Sequence, residues 1–339
     1  MRLRHNSGDG IQIEGVSIPL DAGRVQPTGI VTHAHTDHAA HHKKLVCTPE
    51  TSLLLSKRWQ RFSSRAVPYR KTTTIDDVRF TFYPAGHILG SAMVLVEHKG
   101  VRILYTGDLR TIDGPLQTGA QPIACDILII ESTFAKPEYM FPTLGRIKQL
   151  MKGFVDSARS SGYTPVMMGY ALGKAQEIVS LLGEYHETVW VHPKIADFCD
   201  LYRQAGVKLP DVEIPSAGAP EGALVVMPPG FMRSEWRDRV RRPRTCFCSG
   251  WAMADNDSGF VRSDQVIPLS DHADFDCLVD FARSTGATKV FTIHGFTTEL
   301  ARRLRAEGMD ASAISGRWQS GDAVQSVQYS SETLDLFNS

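Results

Sequence analysis

The chain has 339 residues, enough for two domains, with 42% apolar and 22% charged residues, as in an ordinary globular protein. Lys+Arg and Asp+Glu balance at 37 each, which excludes a globally basic nucleic-acid coat but leaves room for a local basic groove. No apolar run approaches the roughly 18 residues of a membrane span. The start, MRLRHNSGDG, has two arginines and no apolar core behind them, so no secretory signal is expected and the expected location is the cytoplasm.

In chain order, IQIEGVSIPLD, VRFTFYPA, AMVLVEH, VRILYTGD and DILIIEST read as short strands rich in Val, Ile, Leu, Tyr and Thr. Several end in Gly, Asp or His, the way a sheet presents a site on its rim. TPETSLLLSKRWQRF reads as a helix, with Thr48 as a cap and Pro49 at its first position, and Thr51 or Ser52 as alternative caps. From residue 143 the rhythm changes. In TLGRIKQLMKGFVDSARSSG, residues Leu144, Ile147, Leu150, Met151 and Phe154 recur at helical spacing. PVMMGY, TVWVHP, ALVVMPPG and TCFCSGW then read as strands, alternating with helices over GKAQEIVSLLGEY and KIADFCDLYRQAG. That alternation is a parallel α/β layer. After about residue 265 strands with polar ends return in QVIPLSDHADF and KVFTIHGF, followed by a helix over TTELARRLRAEG. The expected organisation is α/β: a first domain over 1–142, an insert over 143–262, and the rest of the first domain over 263–339. The six cysteines are scattered, apart from Cys246 and Cys248. A single C-x-C is a poor zinc-finger spacing, so reduced, buried thiols are expected.

VTHAHTDHAAHH, residues 31–42, holds five of the chain's twelve histidines. Imidazole nitrogen and carboxylate oxygen are ligands for zinc and its neighbours. On an extended or turning backbone His33 and His35 point the same way and can share one ion. Asp37 and His38, a step further on, can reach a second. Three residues that end strand-like runs can complete these half-sites: His87 in YPAGHILGS, Asp108 in YTGDLR and His294 in FTIHGF. A carboxylate at Asp108 can bridge two ions, as two dications about 3.5–4 Å apart require. A glycine beside each of the three allows close backbone approach.

HAHTDH, AGHILGSA and YTGDLR resemble successive motifs of the metallo-β-lactamase superfamily. ILIIESTF, PLSDHADF and TIHGF resemble three further motifs of its β-CASP branch, the nucleic-acid nucleases. Order and spacing agree from Asp21 to His294, and within the insert GYALGKAQEI and CFCSGWA resemble parts of the β-CASP cassette. The resemblance implies an αββα sandwich with an inserted α/β β-CASP domain. It implies two divalent ions, zinc first, with manganese or iron as alternatives. His33, His35, His87 and Asp108 would hold one ion; Asp37, His38, Asp108 and His294 the other. Asp21 would support the ligand histidines from behind. His272 would be the general acid and Glu131 the carboxylate that orients it. His5, His41 and His42 match no motif and are read as surface or outlying residues, and His98 and His186 as structural.

For substrate contact, FMRSEWRDRVRRPR carries six arginines against one glutamate and one aspartate, and Arg233, Arg237 and Arg241 are candidates for phosphate, with a solvated basic helix as the plainer reading. Lys174 and Gln176 open a helix whose N-terminus can hold a phosphate. Ser249 and Trp251 can line the cleft. Compact size and the LSDHADF form look most like bacterial DNA-ligase-associated exonucleases, relatives of the Artemis-like repair nucleases. That implies a DNA exonuclease attacking from the 5′ end, with a DNA ligase and a helicase as partners in repair. His294 points elsewhere: RNA-processing members carry histidine in the last motif, where eukaryotic DNA-acting members carry valine. The alternative is an RNA nuclease of the mRNA 3′-end processing or RNase J type. A metal-binding protein without catalysis is a third reading, against which the complete ligand set argues.

Overall fold

The computed structural model describes residues 2–183, 188–253, 261–314 and 316. The last residues of the helix expected through GKAQEIVSLLGEY, and His186, lie outside them. The chain divides into two compact units: Met1–Asp113 with Thr118–Pro137 and His272–Ser339, and Gly114–Gln117 with Glu138–Asp271.

The first unit is a sandwich. Its larger sheet runs in the order Asp310–Ala313, Lys289–Ile293, Ile127–Glu131, Val101–Tyr105, Ala92–His98, Val78–Pro84, Thr72–Ile75. The first four strands pair in parallel and the rest antiparallel. The smaller sheet is three parallel strands, Gly29–Ile30, Leu45–Cys47 and Ser64–Ala66. Single bridges through Leu20 tie it to the hairpin of Leu3–Asn6 and Gly10–Ile13.

Strand periodicity sorts the side chains between two cores. Val94, Val96, Ile103, Tyr105, Ile127 and Ile129 face the smaller sheet, with Leu3, Ile11, Ile30 and Val46 across from them. Met93, Leu95, Leu104, Leu128 and Ile130 face the other way, onto the helices Phe275–Ser284 and Thr297–Ala306. These helices bury Leu278, Val279, Ala282 and Leu300, Ala301, Leu304, one stripe each at three- and four-residue spacing. Asp274 caps the first, accepting from the Cys277 amide at 2.9 Å.

The second unit is a six-stranded parallel sheet in the order Val212–Glu213, Val189–Val191, Leu224–Met227, Thr164–Met168, Pro243–Cys248, Gln265–Ile267. Helices Leu144–Ser160, Lys174–Gly183 and Pro193–Gln204 cover one face, over Met167, Val191, Val226, Cys246 and Cys248. Val166, Met168, Val225 and Phe247 pack beneath Phe231 and Val240 on the other. All six cysteines are free thiols, five of them buried. The expected α/β sandwich with an inserted α/β unit is what the chain forms.

Two local expectations fail. The helix that begins at Pro49 ends at Ser56, so KRWQRF is not helical. There Arg58 turns to donate to the Ala34 carbonyl at 3.0 Å and Trp59 packs on His41. The arginine-rich run is not a helix either. It forms two short 3₁₀ turns, Phe231–Arg233 and Glu235–Arg239, and then enters the strand at Pro243. Pro243 lacks an amide donor and restricts the residue before it, which suits a strand start and opposes a continuous helix.

Candidate metal centre

The site residues of the first unit sit where strands end. His33, His35, Asp37 and His38 follow Gly29–Ile30, His87 follows Val78–Pro84, Asp108 follows Val101–Tyr105, and His294 follows Lys289–Ile293. Glycines before two of them are forced. A Cβ on Gly86 (φ +76°) would lie 2.2 Å from the Arg110 carbonyl oxygen, and one on Gly107 (φ +53°) 2.9 Å from the Thr32 side chain.

Ligand atoms of His33, His35, His87 and Asp108 lie within 4.8 Å of one another. The three rings meet nearly edge to face, at centroid distances of 4.8–4.9 Å. Asp108 Oδ2 is 3.4 Å from His33 Nε2 and 3.6 Å from His87 Nε2. Its other oxygen, Oδ1, is 3.3 Å from His38 Nε2. One carboxylate therefore faces both histidine groups, the placement a bridging ligand needs. On the second side His38 Nε2 is 3.7 Å from Asp37, and the His38 and His294 rings are 5.3 Å apart.

Donor chemistry tests the fit. His33 Nε2 is buried without a hydrogen-bond partner among the described residues, while its Nδ1 lies 3.1 Å from Thr32 Oγ1. Burial holds His33 far below the usual histidine range, as do the neighbouring histidines, so the ring is a neutral lone-pair donor. Burial pushes the Asp108 carboxyl up to about 7, although His38 and His272 pull it down. An acid that ionises reluctantly is stabilised as an anion by cations on either side. The residues fit divalent ions, and imidazole with carboxylate suits zinc, manganese and iron alike.

Behind the ligands, Asp21 holds a left-handed backbone (φ +48°) and accepts four hydrogen bonds. They come from the Thr32 amide at 2.8 Å, Thr32 Oγ1 at 2.6 Å, Tyr105 Oη at 3.0 Å and His38 Nδ1 at 2.8 Å. This fixes His38 with Nε2 toward Asp37 and Asp108. Burial opposes a charge on His38, but Asp108, Asp37 and Asp21 together hold it well above the usual range. Tyr105 escaped the sequence reading because it looked like one more core residue of VRILYTGD. Ser91 escaped too; its Oγ accepts from the amides of His87 and Ile88 at 3.1 and 3.2 Å and shapes the turn carrying His87. Its only signal was its place in AGHILGSA.

Glu131 is fully buried at its strand's end. Its Oε1 accepts from the Leu109 amide at 2.6 Å and lies 2.8 Å from His272 Nδ1; its Oε2 accepts from the Thr133 amide at 3.1 Å. Burial opposes its ionisation, but His272 and these bonds hold it below the usual carboxylate range. Ligand-type atoms of Asp108, Glu131 and His272 also lie within 4.8 Å of one another. His294 has φ +56°, with its carbonyl held by Ser132 Oγ, and burial pushes it down to about 3. His5, read as a surface residue, packs edge to face on His294 at 5.5 Å. His42 is buried, its Nδ1 accepting from the Gln26 amide at 3.1 Å.

The substrate candidates of the second unit are placed differently from the expectation. Lys174 is buried, its Nζ 3.0 Å from Asp271 and 3.4 Å from Glu177, so its charge is held inside the unit. Gln176 is buried and bonded to the Gly173 amide and the Ala171 carbonyl. Ser249 is buried, accepting from the Trp251 amide at 3.3 Å. A helix start with Lys and Gln looks the same in sequence whether its side chains face out or in. Trp251 meets Tyr139 edge-on at 5.8 Å. Arg237 donates to the Val240 carbonyl at 3.2 Å, while Arg233 and Arg241 are exposed.

The model of the beta-lactamase superfamily domain matches residues 26–192. Together with the sandwich, its insert and the donor set, this match over just under half of the chain is that of a metallo-β-lactamase superfamily fold carrying a β-CASP-type insert. The superfamily class is that of metal-dependent hydrolases. Among curated relatives, a probable DNA ligase of Opitutus terrae is 34% identical over 301 residues, 87% of this chain and 29% of that protein. Endoribonuclease YSH1 of Yarrowia lipolytica is 39% identical over 144 residues, 42% of this chain and 17% of that protein. The chain thus spans less than a third of either relative. A crystal structure of a protein of unknown function from Enterococcus faecalis V583 shares the fold, with TM-score 0.57 and 14% identity over 80% of this chain and 76% of that one. Among the described residues, no helix is long and apolar enough to cross a membrane.

Proposed function

We propose that the chain is a metal-dependent nuclease that hydrolyses phosphodiester bonds in nucleic acid. The observation that carries this reading is the His272–Glu131 pair set beside a carboxylate that faces two histidine groups. Divalent ions in such a site polarise a phosphodiester and lower the pKa of a nearby water. The chain's own residues supply the rest. Asp108 and the histidines would hold those ions. Glu131 stays ionised and fixes His272 through Nδ1, which leaves Nε2 on the side of Asp108, 4.0 Å from Oδ2. From there His272, when protonated, gives a proton to the departing alkoxide oxygen.

RNA is the favoured substrate. The Yarrowia lipolytica relative is named as an endoribonuclease, and His294 occupies the last motif as in RNA-processing members. This reverses the order of preference drawn from the sequence, which put a DNA exonuclease first. The DNA reading, with its ligase and helicase partners, keeps one specific support: the match to a probable DNA ligase over 87% of this chain.

Matched, end-labelled RNA and DNA strands, linear and covalently circular, incubated with zinc, manganese or iron, test both readings. Preferential cutting of RNA supports the first. Degradation of linear DNA with a resistant DNA circle supports the second. No cutting of any strand by metal-loaded protein overturns the nuclease reading.

A further inference from the structure

The segment KRWQRFSSR, residues 57–65, carries four cations and two aromatic rings and no acidic residue. Its first part, KRWQRF, was expected to continue a helix. Instead it leaves the helix at Ser56 and folds over the loop that bears the metal ligands. Two hydrogen bonds hold it there. Arg58 Nη2 donates to the carbonyl of Ala34, between His33 and His35, at 3.0 Å. His41 Nε2 lies 2.9 Å from the Arg61 carbonyl oxygen and donates to it.

These bonds order a row of rings. His41 lies over Trp59 at 4.8 Å, tilted by 34°, and Trp59 meets Phe62 edge-on at 6.0 Å. The Arg58 guanidinium is 5.6 Å from the Trp59 ring centroid. Further cations stand close along the chain. Lys57, Arg58, Arg61 and Arg65 are exposed, as are Lys43 and Lys44 in the neighbouring loop. Arg65 sits on the edge strand Ser64–Ala66, paired in register only with Val46 on its inner side.

Two facts decide what this surface fits. The chain has no net charge, so six cations gathered here are a local departure from its balance. Rings interleaved with cations are also the composition that holds a single strand, whose bases stack while its phosphates find positive charge. We propose that His41, Trp59, Phe62, Arg61 and Arg65 form a docking platform for single-stranded nucleic acid, leading the strand to the HAHTDH loop. The proposal rests on the nuclease reading above and names the surface that delivers its substrate. Bases lie against the exposed rims of the rings, and phosphates pair with Arg61 and Arg65. Arg58, tied to Ala34, joins the platform to the ligand loop.

The test is binding, measured on the whole protein by fluorescence anisotropy with a labelled phosphorothioate oligouridylate that resists cleavage. R61A/R65A is compared with R302A/R303A, which removes two exposed cations from the helix Thr297–Ala306 and so matches the change in charge. If each arginine holds one phosphate, R61A/R65A lowers the log–log salt slope by about 1.4 and weakens binding roughly 25-fold at about 0.1 M salt, while the control stays near wild type. Trp59→Ala weakens binding roughly tenfold and Trp59→Phe restores most of it; circular dichroism confirms that each variant is folded. Equal losses in both arginine pairs, or an unchanged slope in R61A/R65A, overturn the platform and leave the segment a solvated face. Wild-type protein that fails to bind the strand does so as well. Turnover of the small diester bis-p-nitrophenyl phosphate by wild-type protein tests the phosphodiesterase reading separately.

Discussion

Glu131 Oε1 lies 2.8 Å from His272 Nδ1, and the same oxygen takes the Leu109 amide one residue beyond Asp108. One buried carboxylate thus sets both the orientation of an imidazole and the backbone that carries Asp108. The Ala273 amide, donating to the Leu109 carbonyl at 2.6 Å, closes the arrangement from the other side.

If His272 protonates the leaving oxygen, His272→Ala slows cleavage of a normal strand by about 10²–10⁴-fold. The loss shrinks on a strand whose leaving oxygen is replaced by sulfur, because a thiolate departs without a proton. Rates on the two substrates in wild type and variant check this. An equal loss on both makes His272 a positioning residue.

Asp21→Asn removes the charge that fixes His38 through Nδ1. Metal affinity on the His38 side falls by about 10–100-fold, the usual effect of losing such a support, while the His33–His35–His87 side is less affected. Chelator competition resolves the two ions. Tyr105→Phe deletes one of four donors to Asp21 and costs about 1 kcal/mol of stability, read from denaturant unfolding.

Proton release on metal uptake increases as pH falls from about 8 to 6. The Asp108 carboxyl, raised by burial to about 7, is increasingly protonated below that pH and must ionise to bind a cation. His38, held well above the usual range by its carboxylates against the effect of burial, adds a proton that must also leave. Burial keeps His33 and His294 neutral, so neither contributes. Affinity therefore rises with pH across this window. Calorimetry in buffers of different ionisation enthalpy counts the protons, and pH-independent uptake contradicts the assignment.

What the sequence made legible is what short spacing encodes. H-x-H-x-D-H sets four donors on one loop, and strand ends mark His87, Asp108 and His294; His33, His35, His87 and Asp108 come together, with His38 facing the other oxygen of Asp108. Strands such as AMVLVEH declared themselves because both faces are buried and apolar. The edge strands Ser64–Ala66, Thr72–Ile75 and Asp310–Ala313 did not, since they are short, polar and stabilised by neighbours far along the chain. Lys174 and Gln176 misled for a related reason. Their burial depends on Asp271 and Cys199, partners no local pattern reveals. Most of the basic run, residues 57–62, hid inside a plausible helix until tertiary contacts with Ala34 and His41 overrode the local propensity.

Asp108 is proposed to join two metal-holding groups into one phosphodiester-cleaving centre. The most direct measurement pairs elemental analysis with cleavage of a labelled single strand, in wild type and Asp108→Ala, with circular dichroism to confirm the fold. Two ions and cleavage are expected in wild type, and loss of metal from both sides and of all cleavage in the variant. Cleavage that survives in metal-depleted Asp108→Ala would contradict it.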